Sequence, residues 1–243
     1  MNTEARPAFY ALAPGRWRDY VTLLHPPYTL WHLSYVAIGA SLAPAFELRR
    51  LLWGLAAFFL AMGVAAHALD ELDGRPLGTG ISHAALVALA AIGLAGAVAI
   101  GVGASLAWGL WLLAFVAFGA FVVPAYNLEL FGGRLHTDLW FALAWGAFPL
   151  LTGYFAEAQR LRAEALLAAV FATGLSLAQR RLSTPVRDLR RRTASVTGTI
   201  VHHDGTRSSV TEATLLDAPE RALRTLSWTI VALAAALLVG RLA

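Results

Sequence analysis

The sequence predicts an all-α integral membrane protein, a multi-span helical bundle that carries a small β-hairpin insertion on its cytoplasmic side. Of the 243 residues, 58% are hydrophobic and 14% are charged, whereas about a quarter of the residues in a soluble domain are charged. Seven apolar stretches approach the roughly 20 residues that a helix needs to cross a bilayer. The arginines concentrate in the loops on one side of these stretches. Together these observations exclude a soluble globular protein.

The N-terminal segment, residues 1–27, is predicted to be cytoplasmic and to lie at the membrane interface. Residues 14–24 interleave apolar and aromatic side chains such as Trp17 with arginines, which is typical of a short helix on the membrane surface. Pro26 and Pro27 are expected to end this helix.

Residues 28–243 are predicted to form the transmembrane bundle. Each span is expected to be helical, because backbone polar groups inside the hydrocarbon must be paired within the segment. Charged residues, proline or a glycine cluster bound each span. The seven predicted spans are residues 28–46, 51–69, 81–100, 106–125, 139–155, 165–179 and 226–242.

A β-hairpin is predicted between the last two spans, at about residues 194–212. Apolar and polar residues alternate on both sides of Asp204 and Gly205, a pair that favours a tight turn. Downstream, Asp217 is predicted to cap the N-terminus of the final helix, with Pro219 and Glu220 in its first turn.

The distribution of arginine predicts the orientation of the bundle. Seven crossings place the N-terminal segment and the loops after spans two, four and six on one side, which carries 14 arginines against 5 on the other. By the positive-inside rule, the arginine-rich side faces the cytoplasm. The positive charge therefore indicates orientation and contact with membrane lipids or anionic ligands, and no nucleic-acid partner is expected.

The residue types that are missing exclude several functions. All 19 basic residues are arginine and there is no cysteine, which excludes a Schiff base, a retinal protein and thiol chemistry. A haem protein using His32, His67 or His83 stays a weaker alternative, because these residues show no obvious inward pairing.

The most informative polar stretch lies where the second span reaches the cytoplasmic side. It contains His67, Asp70, Glu71 and Asp73, and on a helix the first three share a face. Clustered carboxylates suit Mg²⁺, which binds one or two of them together with the phosphates of a substrate. The alternative is that these acids solvate a helix end opposite Arg75.

Two further cytoplasmic stretches, residues 124–138 and 179–192, carry matching positive charge. The first contains Gly132, Gly133 and Arg134, and the second is a run of basic residues. Arginine on a flexible loop or at a helix end recognises phosphate oxygens. The three loops are therefore predicted to bind a diphosphate at the cytoplasmic mouth of the bundle. For the basic run alone, anchoring of the topology is the alternative.

Residues 20–44, the acidic loop, residues 126–134 and the run from Trp145 to Pro149 with Gly153 together resemble the UbiA superfamily of intramembrane prenyltransferases. The resemblance covers most of the chain from Tyr20 to about Arg192. It implies an α-helical bundle, generally of nine spans, whose two Asp-rich cytoplasmic motifs bind Mg²⁺ and the diphosphate of an isoprenoid donor. Ionisation of that donor leaves an allylic carbocation, which an acceptor captures.

The chain departs from both Asp-rich motifs. In the first, Asn-Asp-x-x-Asp-x-x-x-Asp, the closest register places His67 at the Asn, Ala68 at the first Asp, Glu71 at the second and Arg75 at the third. The second motif is expected after span six, where the chain reads QRRLSTPVRD from residue 179 to 188, with a single acid.

The resemblance and the charge pattern together assign roles to individual residues. Asp70, Glu71 and Asp73 are expected to hold Mg²⁺. The residues expected to bind the diphosphate are Arg75, Asn127, Arg134 and Arg187. The residues expected to act in catalysis are Tyr126, His136 and Asp138, with His136 or Asp138 as base toward the acceptor. Tyr126, Trp145 and Tyr154 offer ring faces to a carbocation.

The predicted function is that of a membrane prenyltransferase, which ionises an isoprenyl diphosphate with Mg²⁺ and transfers the prenyl group to a lipophilic acceptor. One alternative is a terpene cyclase, which quenches the cation internally. The other is a non-catalytic lipid-binding or assembly protein with the same fold.

Overall fold

The computed structural model describes residues 6–243 and confirms the all-α bundle. A short helix, α1 (Arg16–Leu23), precedes seven longer ones, and each predicted span overlaps one of these. They are α2 (Pro26–Leu42), α3 (Leu48–Leu72), α4 (His83–Trp108), α5 (Leu112–Asn127), α6 (Asp138–Ala158), α7 (Ala163–Arg192) and α8 (Glu212–Leu242).

Four of these helices, α3, α4, α6 and α8, are long and apolar enough to cross a membrane, and α5 is apolar but shorter. Their outward side chains are largely apolar, and Ile92, Leu106 and Trp228 are among the most exposed. Large exposed apolar surfaces of this kind mark contact with lipid or another protein. The chain is therefore an integral membrane protein.

Helix α2 lies in the middle of the bundle, in contact with α6 and α8. Trp31 and Tyr35 on α2 are fully buried, and the Trp31 indole N–H donates to the Tyr35 hydroxyl at 2.7 Å. The Tyr35 hydroxyl in turn reaches α7 at the Ala172 carbonyl (3.3 Å) and at Ser176 Oγ (3.1 Å). Buried polar groups that satisfy one another in this way fix the position of α2 against α7.

A pair of glycines permits the close crossing of α2 and α6. A Cβ added at Gly39 would lie 2.0 Å from the Leu150 carbonyl oxygen, and one at Gly153 would lie 2.2 Å from the Val36 carbonyl oxygen. Small residues at such crossings let two membrane helices approach backbone to backbone.

Helices α3 and α6 are each interrupted by π-helical turns. The first segment, Phe59–Ala66, ends just before His67, and the second, Leu143–Ala147, contains Trp145. Such turns shift the direction of the following side chains and are frequent at functional sites. Both segments lead into the cavity described below.

The two ends of the bundle differ in charge. One end carries residues 6–15, α1, the loops 73–82 and 128–137, and the hairpin, and it is called here the Arg-rich end. At the opposite end, Arg241 donates to the carbonyl oxygens of Ser41 and Ala43, and Arg50 donates to that of Ala156. The arginines at the opposite end thus tie loops together.

The predicted hairpin is confirmed. Strand β1 (Gly198–Val201) pairs antiparallel with β2 (Arg207–Val210), and Gly205 lies in the turn with φ 82°. The final helix begins earlier than predicted, because Thr211 and Thr214 form a reciprocal cap at its N-terminus. Asp217 is therefore not a cap. It lies within α8 and pairs with Arg221 at 2.7 Å.

The N-terminal segment packs onto the Arg-rich end. Phe9 contacts a cluster of apolar side chains from α7 and α8 that includes Val186 and Leu223. Arg190 and Arg191 donate to the carbonyl oxygens of Arg6 and Pro7 at 3.3 and 3.2 Å. The following helix, α1, exposes Trp17 and Tyr20, in keeping with the predicted interfacial helix.

Candidate functional site

A polar cavity of about 700 Å³ opens at the Arg-rich end. Its walls come from the N-terminal segment, the start of α2, the ends of α3 and α5, the π-helical part of α6 and the second half of α7. The volume is in the range of sites that bind small molecules. This cavity, called the mouth cavity, brings together seven of the ten predicted site residues. They are Asp70, Asp73, Arg75, Tyr126, Asn127, His136 and Arg187.

Asp70 contributes the carboxylate from the end of α3. His67, one turn earlier, lines the same wall. Arg180, Arg187 and Arg191 are the arginines whose charge acts on Asp70. Within residues 6–243, the Asp70 carboxylate forms neither a hydrogen bond nor an ion pair, and it lines the same cavity as the arginines of α7.

Glu71 points away from the cavity and organises a loop. Its side chain is fully buried, and its carboxylate accepts hydrogen bonds from the backbone N–H groups of Leu77 (2.9 Å) and Thr79 (2.8 Å) and from the Thr79 hydroxyl (2.8 Å). A carboxylate that accepts three hydrogen bonds is a structural centre of its loop. The geometry thus places Glu71 outside the predicted metal group.

Arg75 lines the mouth cavity, but its guanidinium also serves this loop. It donates to the carbonyl oxygens of Ile81 (2.6 Å) and Thr79 (3.3 Å). Gly74 and Arg75 both have positive φ, 75° and 55°, and glycine adopts such a backbone without strain. The loop after α3 is therefore held from both sides, by the Glu71 carboxylate and by the Arg75 guanidinium.

The described acids of the site do not form a cluster of three metal ligands. Among residues 6–243, no three His, Cys, Asp or Glu side chains come close enough together to hold an ion. Asp70 and Asp73 line the cavity, whereas Glu71 is committed to its loop. The donor set that the sequence suggested for Mg²⁺ is therefore not assembled in the structure.

The basic wall of the cavity is one face of α7. Arg180, Arg187 and Arg191 follow one another at spacings of seven and four residues, and all three line the cavity. These spacings return to the same face after two turns and then one. Gln179 and Ser183 lie on the same wall. Arg181 is exposed and does not line the cavity.

The three guanidinium groups are anchored by neighbours. Arg180 pairs with Asp138 (3.1 Å) and lies over the Phe141 ring. Arg187 donates to Thr184 Oγ1 at 3.2 Å, and Arg191 donates to the Pro7 carbonyl. Since a guanidinium has five N–H donors, these contacts orient the groups and leave further donors for an anion.

Aromatic rings form the wall between α5 and α6. The His136 ring stacks on Tyr126 at 4.4 Å, and the Tyr126 ring packs against Trp145 at 4.5 Å. Tyr126 is only 4% exposed, and its hydroxyl has no hydrogen-bond partner among the described residues. His136 Nδ1 lies 3.1 Å from the Tyr126 carbonyl oxygen, and Nε2 lies 3.4 Å from Arg180.

The remaining predicted residues have other positions. Asn127 lines the cavity, but its amide donates to the Val123 carbonyl at 2.7 Å. Arg134 is exposed and Asp138 is paired with Arg180, and neither lines the cavity. Tyr154 is buried near the opposite end, where its hydroxyl donates to Glu164 at 2.6 Å. The structure therefore does not bring Arg134, Asp138 or Tyr154 into this site.

Several cavity residues were missed by the sequence reasoning. Arg180 and Arg191 share a face with Arg187, and their seven- and four-residue spacings are the signal that would have identified them. His25 and Tyr10 come from the N-terminal segment, and Tyr10 donates to His25 Nδ1 or accepts from it at 2.9 Å. The His25 ring also stacks on His67 at 4.1 Å. Burial and the adjacent His67 hold the pKa of His25 well below its usual range.

An apolar groove lies directly beside the mouth cavity. It has a volume of about 110 Å³ and is lined by small and aromatic side chains of α3, α4, α5 and α6, among them Phe58, Phe115 and Phe148. Trp145 lines both the groove and the mouth cavity. A ligand that spans the two would place its charged part among arginines and its apolar part inside the bundle.

Comparison with known proteins supports the fold. Neither protein-family models nor curated protein sequences give a match. Among solved structures, the chain is similar to a UbiA homolog from Archaeoglobus fulgidus that was solved bound to Cd²⁺. The similarity has a TM-score of 0.55 at 20% identity and covers 90% of this chain and 76% of that one. The chain therefore has a UbiA-like fold, as its sequence predicts.

Proposed function

We propose that this protein is a UbiA-like membrane prenyltransferase that binds an isoprenyl diphosphate and transfers its prenyl group to a lipophilic acceptor. The observation that supports the proposal is that a polar cavity and an apolar groove share a wall. The arginine-lined mouth cavity meets an apolar groove at Trp145. Such a pair of compartments matches a substrate with a diphosphate head and a hydrocarbon tail.

The reaction needs heterolysis of one carbon–oxygen bond. Both bonding electrons leave with the diphosphate and an allylic cation remains, to which the acceptor then supplies an electron pair while losing a proton. In this proposal, Arg187 and its neighbours on α7, which line the cavity, stabilise the charge that develops on the leaving group. The rings of Tyr126 and Trp145, which pack together in the same wall, stabilise the cation.

His136 is the proposed base toward the acceptor. If its Nδ1–H donates to the Tyr126 carbonyl, Nε2 carries the lone pair on the side of Arg180. Asp138, the other predicted base, is exposed outside the cavity and paired with Arg180. The proton therefore goes to His136 in this scheme, and Asp138 helps to orient Arg180.

The residues present do not fit the Mg²⁺ that the resemblance implies. A protein site for Mg²⁺ is built from oxygen ligands, but Glu71 is committed to its loop. The α7 wall presents Gln179, Ser183 and Arg187, and its one acid, Asp188, is exposed and paired with Arg192. The UbiA homolog of similar structure was solved with Cd²⁺. For this chain, the charge balance of the leaving group is assigned to arginine alone.

The proposed setting is the cell membrane, with the mouth cavity facing the cytoplasm. The supporting observation is the excess of arginine at the cavity end, because positively charged loops are retained on the cytoplasmic side. Isoprenyl diphosphates are charged, so a cytoplasmic opening would give them access without crossing the bilayer.

The test is an assay of the purified protein in detergent with radiolabelled allylic diphosphates of several chain lengths and an extract of membrane lipids as acceptor source. We expect release of pyrophosphate and a prenylated lipid, both lost in Arg187→Gln and retained in Arg181→Gln. Prenyl hydrocarbon or alcohol formed without added acceptor would instead identify a terpene cyclase. Binding without release of pyrophosphate in any arm would contradict the enzyme proposal.

A non-catalytic lipid-binding or assembly protein is the second candidate. It is favoured by the absence of a metal-ligand group among residues 6–243, since metal ions are a common way to activate a diphosphate leaving group. This candidate predicts that isoprenyl diphosphates bind intact and are recovered unchanged after prolonged incubation.

A further inference from the structure

The α7 wall of the mouth cavity is basic along its whole length. Moving along the helix, the residues that line the cavity are Gln179, Arg180, Ser183, Thr184, Val186, Arg187, Asp188, Arg191 and Arg192. The one acid among them, Asp188, is exposed and pairs with Arg192 at 3.7 Å. Asp188 is therefore the one carboxylate that α7 contributes to the cavity lining, and it is exposed beside Arg192.

Asp70 is the half-buried carboxylate among the other walls of the cavity, whereas the further acids that line them, Asp73 and Glu129, are exposed. Three guanidinium groups face Asp70, from Arg180, Arg187 and Arg191. The net charge around Asp70 is therefore positive before any ligand binds. A divalent cation beside Asp70 would meet three guanidinium groups and one half-buried carboxylate, because Asp73, Glu129 and Asp188 are exposed. This disfavours the cation, whereas an anion would gain from the same arrangement.

Two further polar groups in the cavity have no partner. The Tyr126 hydroxyl and Gln179 Oε1 are buried and form no hydrogen bond within residues 6–243, and both residues line the cavity. Tyr126 and Gln179 are 4% and 3% exposed. Buried polar groups in proteins are nearly always paired, so these two indicate a polar ligand. The Tyr126 hydroxyl can donate to a phosphate oxygen, whereas Gln179 Oε1 is an acceptor and pairs with a donor group of a ligand or a bound water.

From this arrangement we infer that the protein binds the diphosphate of its substrate directly through Arg180, Arg187 and Arg191, without a divalent cation. The inference rests on the proposed function for the identity of the ligand. A planar guanidinium donates two parallel hydrogen bonds to a phosphate, which combines charge with orientation. Three such groups on one face of α7 supply the neutralisation that a metal would otherwise provide.

Binding of inorganic pyrophosphate to the purified full-length protein in detergent tests the inference, measured by calorimetry once with EDTA and once with Mg²⁺. We expect similar affinities in the two conditions and a marked loss of affinity at high salt, since arginine–phosphate attraction is screened. Affinity at least tenfold higher with Mg²⁺, or no binding in EDTA, would overturn the inference.

Paired variants identify the residues involved. Arg187→Gln should weaken pyrophosphate binding by roughly 10- to 100-fold, because it removes a charged hydrogen-bond donor. Arg181→Gln changes the same residue type on the exposed face and should bind as the parent protein does. Equal binding by both variants would contradict the inference. If Arg187→Gln elutes as an aggregate, Arg187→Lys takes its place. This variant keeps the positive charge but loses the planar pair of N–H donors, and it should show a smaller loss of pyrophosphate affinity.

Asp70→Asn separates direct binding from metal-mediated binding. If arginine holds the diphosphate directly, removing the opposing acid should leave the affinity unchanged or increase it. If a metal bridges Asp70 and the diphosphate, the same change should weaken binding at least tenfold in Mg²⁺, which would overturn the inference. These measurements use pyrophosphate and no turnover, so an inactive protein that still binds pyrophosphate in EDTA would contradict the proposed enzyme function and support the inference.

Discussion

Two adjacent acids at the end of α3 occupy opposite environments. Consecutive residues on a helix point about 100° apart, so Asp70 and Glu71 cannot face the same ligand equally. Asp70 lines the mouth cavity, and Glu71 is fully buried beneath the loop. The sequence identified both residues as significant, but composition alone gives the same weight to a ligand-facing and a loop-organising carboxylate.

Alanine substitution at the two positions should therefore have different effects. Glu71→Ala leaves the N–H groups of Leu77 and Thr79 without their acceptor, and we expect a loss of more than about 2 kcal/mol in the free energy of unfolding. Asp70→Ala removes a group with no partner among the described residues and should change stability within about half a kcal/mol. Thermal unfolding of both variants in the same detergent makes the comparison. Equal Tm values would contradict the role assigned to Glu71.

The arginines show what residue spacing predicts and what it does not. The positions of Arg180, Arg187 and Arg191 on one face follow from their seven- and four-residue spacings. That this face turns inward depends on the packing of α7 against α6 and α8, which a single sequence does not specify. Likewise, Arg134 is basic and glycine-flanked as predicted, but its loop directs it to solvent.

At the scale of the helices, apolar stretches located every long element of the bundle. Boundaries were less accurate where a cap decides them, as Thr211 does at the start of α8. The π-helical turns were not predicted, because they depend on tertiary packing and leave no regular period in the sequence. His67 follows the first of these turns and Trp145 lies in the second, and both residues line the cavity. The π-helical turns, which the sequence did not predict, therefore contribute directly to the site.

The crossing of α2 and α6 provides a prediction at this scale. Gly153→Ala would place a Cβ 2.2 Å from the Val36 carbonyl oxygen, so the two helices must separate. We expect strong destabilisation, seen as a large fall in Tm or as aggregation on gel filtration, because buried overpacking costs about 1 to 3 kcal/mol or more.

Gly174→Ala is the matched control for this crossing. Gly174 is also helical, but an added Cβ there meets no atom within 4 Å in the described structure. Alanine is the better helix former by about 1 kcal/mol in water, so this variant should keep or raise the Tm. A Gly153→Ala protein as stable as Gly174→Ala would show that the helices do not cross as closely as described.

At the scale of the whole molecule, the charge asymmetry and the site share one end. Five arginines of the Arg-rich end line the mouth cavity, namely Arg75 and, on α7, Arg180, Arg187, Arg191 and Arg192. The charge that is predicted to orient the chain in the membrane thus also provides the electrostatic field of the cavity. Counting arginines in the sequence gives the charge asymmetry directly, whereas the formation of the mouth cavity depends on the fold.

Helix α7 connects the loop at Arg160 to the β-hairpin, so its path determines whether these two segments lie on opposite sides of the membrane. Its predicted span, residues 165–179, is about 22 Å long at 1.5 Å per residue, which is shorter than the hydrocarbon core of roughly 30 Å. The arginines that follow are amphipathic and extend their charged ends toward the interface. A crossing by α7 is therefore physically consistent despite its limited apolar length.

Single cysteines test this crossing, because the natural chain has none. Arg160→Cys precedes α7 and Asp204→Cys lies in the hairpin beyond it, and both positions are exposed. In intact spheroplasts, a membrane-impermeant maleimide should label Arg160→Cys but should label Asp204→Cys only after lysis, as expected for a cytoplasmic Arg-rich end. The reverse pattern would invert the orientation of the bundle. Labelling of both sites in intact spheroplasts would mean that α7 does not cross, and the cavity it lines would then lie on the outer side of the membrane.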